Sequence, residues 1–220
     1  MFDLGLNNFN AYFIEMEWNL LTFEQIRLVL VVYISSIGAF FLILYLYFKK
    51  IIPTWSIHIY ILFFIVCALG WEVWFNYGLI GGDSVDIRRA KVLASYLPMN
   101  INWILNSLAD SGTICLGGLY LALRIIKNNR VLYSWNWKFF FILLIIFISQ
   151  NLFVEMFLYH DQLSIDKEIS WAPLSPLGPY YNPVLFSINN RNVSLQSQVP
   201  WLLMTPIFYK YIIFKLNKTN

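Results

Sequence analysis

Charged residues are scarce in this sequence. Only 12% of its 220 residues are Asp, Glu, Lys or Arg, whereas 59% are hydrophobic and 19% are aromatic. Soluble domains are usually about a quarter charged and about half apolar. Because apolar residues run along most of the chain, the composition argues against a soluble globule with a separate membrane anchor. It predicts a single integral membrane domain over residues 1–220.

Cysteine and histidine are also scarce, with two residues of each. Cys67 and Cys115 fall inside apolar runs, which is typical of small core residues rather than of a disulfide. No Cys/His spacing suits zinc, and His58 and His160 are expected near opposite membrane faces, so neither a metal site nor a cofactor is predicted. The net charge of +3 is spread over short loops without a basic stripe, which argues against nucleic acid as a partner.

Five apolar stretches have about the 20 residues that a membrane-spanning helix needs. The breaks between them carry the expected signals, such as Lys49-Lys50 after the first stretch and Gly81-Gly82 after the second. The sequence therefore predicts an all-α, polytopic transmembrane helix bundle. Its spans are expected at about residues 26–48, 54–78, 100–126, 137–159 and 198–216.

The segment 160–196 connects the last two predicted spans and contains a proline-rich run from Trp171 to Pro183. Prolines interrupt both helices and sheets, and the aromatic residues Tyr180 and Tyr181 favour contact with other apolar surfaces. Such an outer loop can lie over the mouth of a bundle as a lid. The alternative is an ordinary interfacial loop with aromatic-belt residues.

Basic residues set the expected orientation, because Lys and Arg concentrate in cytoplasmic loops. The opposite side of a five-span bundle would carry Arg88, Arg89 and Lys91, so the bias is incomplete. The prediction is an N-terminus outside and a C-terminus in the cytoplasm. The basic residues expected on the cytoplasmic side are Lys49, Lys50, Arg124, Lys127, Arg130, Lys138, Lys210, Lys215 and Lys218.

Polar side chains recur at four-residue spacing within three of the predicted spans. A charged or amide side chain costs several kcal/mol in hydrocarbon unless it faces a partner or a wet cavity. Residues four apart share one face of a helix, so each span is expected to carry a polar stripe. The stripes are Glu72 and Asn76; Asn102, Asn106 and Asp110; and Asn151, Glu155 and Tyr159.

The three carboxyl groups of these stripes are expected at similar depth. At about 1.5 Å rise per residue, Glu72, Asp110 and Glu155 all fall in the outer half of the membrane. We therefore predict one acidic chamber that opens toward the outer face, with these three residues as catalytic candidates. The residues expected to bind the substrate are Trp71, Asn76, Asn106, Asn151, His160 and Trp201.

The polar groups could instead only hold the helices together, because interhelical hydrogen bonds are common in membrane proteins. A single amide would do this at lower cost than a carboxylate, so the three carboxyl groups favour a functional role. A buried carboxyl that keeps its proton suits a general acid or a proton carrier.

Two short motifs stand at residues 67–75 and 116–124. They resemble motifs of the small membrane-bound terpene cyclases of fungal meroterpenoid and indole-diterpene pathways. Cys67-Ala-Leu-Gly-Trp-Glu-Val-Trp-Phe75 is similar to that family's Trp-Glu pair followed by aromatics. Leu116-Gly-Gly-Leu-Tyr-Leu-Ala-Leu-Arg124 is similar to its Leu-Gly-x-x-Tyr-x-Ala-x-Arg/Lys run. The resemblance covers about the first half of the chain and implies that Glu72 belongs to the acid that protonates an epoxide or alkene. That family has more spans and a second acid in the last one, where this chain has no Asp or Glu.

The five-span layout also resembles the emopamil-binding sterol isomerase family, which uses carboxylates inside a membrane cavity to move a double bond. Ala68 stands where that family has a histidine one turn before its glutamate. Both resemblances describe a type of site rather than an identity.

The leading functional hypothesis is a membrane enzyme that isomerises or cyclises a lipid-soluble substrate, such as an isoprenoid, sterol or carotenoid, without a cofactor. It would reside in the plasma or inner membrane, or in the endoplasmic reticulum of a eukaryote, with membrane lipids as neighbours. A homo-oligomer is left open. A proton-coupled carrier of a small solute is one alternative, although the odd span count and the lack of an inverted repeat argue against it. A non-catalytic subunit of a larger membrane complex is another.

Overall fold

The computed structural model describes residues 20–79, 82–167 and 180–219. Within these ranges most residues are helical. In chain order the elements are α1 (Phe23–Phe48), α2 (Thr54–Leu69), α3 (Trp71–Tyr77), α4 (Val85–Arg88), α5 (Leu93–Tyr96), α6 (Met99–Ile126), a 3-10 turn (Asn129–Leu132), α7 (Trp137–Gln162), β1 (Val184–Ile188), β2 (Arg191–Ser194) and α8 (Leu195–Thr219).

The helices begin and end where local chemistry favours it. Thr22 caps α1 in a reciprocal arrangement, in which the Thr22 side chain accepts from the Gln25 backbone N–H and the Gln25 side chain accepts from that of Thr22. Asn136 caps α7 by accepting from the backbone of Phe139. Gly78 ends α3 in the left-handed region, with φ of 62°.

Three helices are long and apolar enough to cross a membrane: α1, α6 and α7. A fourth is obtained if α2 and α3, which meet at an angle of 42°, are counted as one broken span. Glycine at position 70 permits this bend, because a side chain would place its Cβ 2.5 Å from the Val66 carbonyl oxygen. The predicted helical, membrane-type fold is thus confirmed in this coarser form.

The predicted fifth span is the least apolar of the long helices. Residues 198–216 lie within α8, whose 25 residues include Pro200, Pro206 and several polar side chains. These residues lower its hydropathy, and α8 is not among the helices apolar enough to cross a membrane by that measure. The other predicted spans shift by up to three residues at their ends, so that the first begins at Phe23 and the fourth ends at Gln162.

The prediction of an all-α fold is wrong at one place, within the connection 160–196. β1 and β2 form an antiparallel hairpin there, and its turn residues Asn189 and Asn190 have φ of 52° and 61°. Asparagine tolerates this left-handed conformation, which suits the turn of a tight hairpin. Residues 168–179, which include Trp171 and most of the proline-rich run, lie outside the described residues, so the lid stays a prediction.

Aromatic side chains fill the centre of the bundle where α2, α6, α7 and α8 meet. Phe208 packs edge-on against Phe63, with ring centroids 4.8 Å apart, and Trp201 packs against Phe147 at 5.2 Å. All four residues are buried. This packing holds α8 against α7 and fixes one wall of the cavity described below.

Gly118 allows α6 to approach this core closely. A Cβ at Gly118 would lie 2.7 Å from Cε1 of the buried Phe147 ring. We expect Gly118→Ala to lower the free energy of unfolding by about 1–3 kcal/mol, because a tightly packed ring must move. Thermal unfolding in detergent would measure this. Gly117→Ala is the matched control, since its Cβ would meet nothing closer than 3.8 Å, and an equal loss in both variants would contradict the packing explanation.

Candidate functional site

A cavity of about 230 Å³ lies among α1, α3, α6, α7 and α8. Much of its wall is apolar, including Leu28, Val32 and Phe75. Its polar lining comes mainly from α3, α6 and α7. The polar residues with carboxyl, amide or phenol groups that line it are Glu72, Asn102, Asn106, Asp110, Gln150, Asn151, Tyr159 and Gln162.

Glu72 lies on the first turn of α3 and is 2% exposed. Its Oε2 accepts hydrogen bonds from the side-chain amides of Asn76 and Asn106, both at 3.0 Å. Asn102 in turn donates to Oδ1 of Asn76 at 2.7 Å. The amides therefore hold one carboxyl oxygen of Glu72 in place.

Asp110 lines the same cavity from α6. Its Oδ2 accepts a hydrogen bond from the Trp71 indole N–H at 2.7 Å. Trp71 also packs against Trp201 of α8, with ring centroids 5.2 Å apart. Trp71 and Glu72 directly follow the bend at Gly70. The bend therefore positions both the indole that bonds Asp110 and the carboxyl of Glu72.

The helices α1, α6 and α7 each contain a π-helical segment beside the cavity. The segments are Ile34–Gly38 in α1, Asp110–Leu116 in α6 and Val154–Tyr159 in α7. Residues of all three, such as Ser35, Thr113 and Tyr159, line the cavity. Short π segments inside α-helices occur frequently at functional sites, because the wider turn changes which side chains face inward.

Three residues of the cavity lining also reach the lateral surface of the bundle. Val31, Thr113 and Phe153 line the cavity and are also exposed, Val31 by 36% and Phe153 by 54%. Val31 and Phe153 lie roughly 12–14 Å from the start of α1 and the end of α7, respectively. The cavity lining therefore reaches the side of the helices at these residues, well away from the helix ends.

Glu155 does not line this cavity, although the sequence suggested that it would. It is fully buried and faces β2 and the start of α8. Its Oε1 accepts from the Ser194 backbone N–H at 2.9 Å and from the Ser197 hydroxyl at 2.8 Å, and Oε2 accepts from the Gln198 amide at 2.7 Å. The carboxyl thus joins α7 to the hairpin and to α8.

The other predicted binding residues fall into two groups. Trp71, Asn106, Asn151 and Trp201 line the cavity, whereas Asn76 and His160 do not. Asn151 donates to the Ser197 carbonyl and to the Gln198 side chain, and therefore also holds α8. His160 hydrogen-bonds the Asn192 carbonyl at 3.0 Å.

Arg88 lies behind the cavity in the connection between α3 and α6. It is 1% exposed, it donates to the Phe75 and Asp83 carbonyl oxygens, and its guanidinium lies 4.9 Å from the Phe75 ring centroid. The Phe75 ring stacks on Tyr159, at 4.8 Å. Burial lowers the pKa of the Arg88 guanidinium to about 10, which still leaves it charged at neutral pH.

An ion-paired carboxylate holds the same end of the bundle together. The Asp161 side chain is fully buried between two arginines, Arg27 of α1 and Arg191 of β2, the latter at 2.8 Å. The hairpin is thereby tied to both α1 and α7. Among residues 20–79, 82–167 and 180–219, no group of three or more His, Cys, Asp or Glu side chains is arranged to hold a metal ion.

Comparisons with protein-family models, curated proteins and solved structures found no match for this chain. The two family resemblances therefore stay predictions, which rest on two sequence motifs and on the predicted five-span layout.

Gln150 lines the cavity, although the four-residue spacing of polar side chains does not predict it. Asn151, Glu155 and Tyr159 would share one face of an ideal α-helix. The π segment that begins at Val154 widens the helical turn. Tyr159 therefore lines the cavity, whereas Glu155 contacts β2 and α8. The sequence does contain an indication of this role, because Gln150 is an amide in a strongly apolar stretch, where an amide needs a partner or a cavity.

Proposed function

We propose that this protein is an integral membrane enzyme that isomerises or cyclises a lipid-soluble, isoprenoid-like substrate by acid–base chemistry. The observation that carries the proposal is that two carboxyl groups from different helices, Glu72 and Asp110, line one mostly apolar cavity. Substrate pockets combine apolar walls with a few placed polar groups in this way.

The carboxyls supply the chemistry that such a reaction requires. One of them, in its acid form, donates a proton to a carbon of the substrate double bond. The other, as carboxylate, removes a proton from a neighbouring carbon, so the double bond moves and no atom is gained or lost overall. Glu72 is the proposed acid and Asp110 the proposed base.

The aromatic wall suits the cationic character of this reaction. Protonation of an alkene develops positive charge on carbon, and the face of an indole ring attracts a nearby cation. Trp71 and Trp201 both line the cavity, and Trp71 is held by its hydrogen bond to Asp110. Val31 and Phe153 line the cavity and are exposed on the side of the bundle, so we place the entry of a lipid from the hydrocarbon phase there.

The proposal includes α8 as a fifth span, with the N-terminus outside and the C-terminus in the cytoplasm. The supporting pattern is the grouping of basic residues after α1, between α6 and α7, and near the end of α8. The plasma or inner membrane, or the endoplasmic reticulum of a eukaryote, is the proposed location.

Solvent deuterium would test the reaction class directly. Purified protein in lipid nanodiscs would be incubated in D₂O with isoprenoid alkenes, isoprenoid epoxides and sterols. We expect a product that carries deuterium at carbon, because the donated proton comes from a carboxyl that exchanges with water. Mass spectrometry would detect the added mass, and heat-denatured protein is the control.

The same preparation distinguishes the competing functions. Uptake of a solute into proteoliposomes that depends on a pH gradient, with no substrate converted, would replace the enzyme with a carrier. A protein that is stable only with a second membrane protein, and that converts none of the compounds, would indicate a structural subunit.

A further inference from the structure

The Gln150 side chain on α7 differs from the three asparagines that line the cavity. Its Nε2 is buried, yet it has no hydrogen-bond partner among residues 20–79, 82–167 and 180–219. Asn102, Asn106 and Asn151 each donate to an oxygen of the protein instead. A buried N–H group without a partner is costly, so its presence in a cavity wall calls for a functional explanation.

The surroundings of Gln150 restrict what could accept its hydrogen bond. Toward the end of α7 the cavity wall combines apolar residues, Phe153, Val154 and Leu158, with polar ones. The polar lining residues after Gln150 on this helix are Asn151, Tyr159 and Gln162. The carboxyls that would act on the substrate come from other helices, Glu72 from α3 and Asp110 from α6. A ligand that satisfies Gln150 therefore combines an apolar body with an acceptor atom held on the α7 wall.

We propose that Gln150 determines substrate specificity, with its side-chain N–H donating a hydrogen bond to an oxygen atom of the substrate. The substrate is accordingly an oxygenated isoprenoid, such as an alcohol, ketone or epoxide, and not a hydrocarbon. This inference rests on the proposed function in one respect, namely that the cavity holds an isoprenoid-like lipid. A site that is built to bond an oxygen discriminates against an analogue that lacks it.

Paired probes would test the inference by binding alone. Farnesol and geranylgeraniol would each be compared with the hydrocarbon of the same skeleton that lacks the hydroxyl, using wild-type protein in nanodiscs. We expect each alcohol to bind about 5- to 10-fold more tightly than its hydrocarbon, the ratio that one hydrogen bond supplies. In Gln150→Leu the ratio should fall below about 2-fold, with the hydrocarbon affinity retained.

Two further variants provide a second test of Gln150 and a matched control. Gln150→Met keeps an unbranched side chain of similar length and should lose the preference in the same way if Gln150→Leu fails to fold. Ser149→Ala removes a polar group from the neighbouring exposed position and should keep the wild-type preference. Retained hydrocarbon binding in the Gln150 variants shows that the cavity is intact.

Three results would overturn the inference: no preference for either alcohol in the wild type, no binding of any probe, or an unchanged preference in both Gln150 variants. The outcome is separate from that of the proposed reaction. A preference that depends on Gln150, with no deuterium entering any product, would support this binding role and reject acid–base catalysis. Deuterium incorporation with a preference independent of Gln150 would do the reverse.

Discussion

Replacing Glu72 by glutamine is expected to slow substrate conversion by about 10²–10⁴-fold without unfolding the protein, because a general acid contributes about that factor. Glutamine has no carboxyl proton to donate. Its amide oxygen can still accept the hydrogen bonds that Asn76 and Asn106 now donate to Oε2, both at 3.0 Å. The variant therefore separates proton transfer from the packing of α3 against α6.

The measurement is the turnover rate in nanodiscs, with thermal unfolding recorded on the same samples. Asp110→Asn should reduce turnover by a similar factor, since its side-chain oxygen can still accept from the Trp71 indole. Glu24→Gln is the matched control, because Glu24 is an exposed glutamate on the first turn of α1 and should leave the rate unchanged. Full activity of folded Glu72→Gln would remove Glu72 from the mechanism.

The sequence allowed the helical fold to be predicted because membrane helices depend mainly on length and apolarity. The stretches around α1, α6 and α7 were located to within a few residues, since lysine pairs, glycines and prolines mark their ends. The hairpin was missed because Val184–Ile188 is short and follows a proline-rich run. Asn189-Asn190 was the available signal, and it carries weight only when both flanking strands are recognised.

The polar stripes predicted part of the site for a clear geometric reason. The prediction brought Glu72, Asn106 and Asp110 together correctly. The reason is that α6 is a regular α-helix up to Asp110, so residues four apart there share one face. The prediction placed Glu155 in the same chamber, whereas in the structure its carboxyl contacts β2 and α8, because the π segment of α7 begins one residue earlier, at Val154. A four-residue spacing assumes a regular α-helix. No residue type around Val154–Tyr159 indicates the wider π-helical turn.

Glu155 is instead expected to matter for stability, with a loss of about 2–5 kcal/mol in Glu155→Leu. Leucine has a similar volume but no acceptor, so the Ser194 backbone N–H and the Gln198 amide would be buried without their partner. The serine hydroxyls of Ser194 and Ser197 can bond each other, which limits the cost. Thermal and denaturant unfolding in detergent would measure the change.

Glu155→Gln provides the decisive comparison with Glu72→Gln. Its oxygen can replace the acceptor for Ser194, whereas its NH₂ group would face the NH₂ group of Gln198, so we expect an intermediate loss of stability. The folded fraction should convert substrate at the wild-type rate, because the Glu155 carboxyl is absent from the cavity wall. If Glu155→Gln instead kept wild-type stability and lost turnover as Glu72→Gln does, Glu155 would take part in the chemistry. The carboxyl would then have to leave its contacts with β2 and α8 during the reaction.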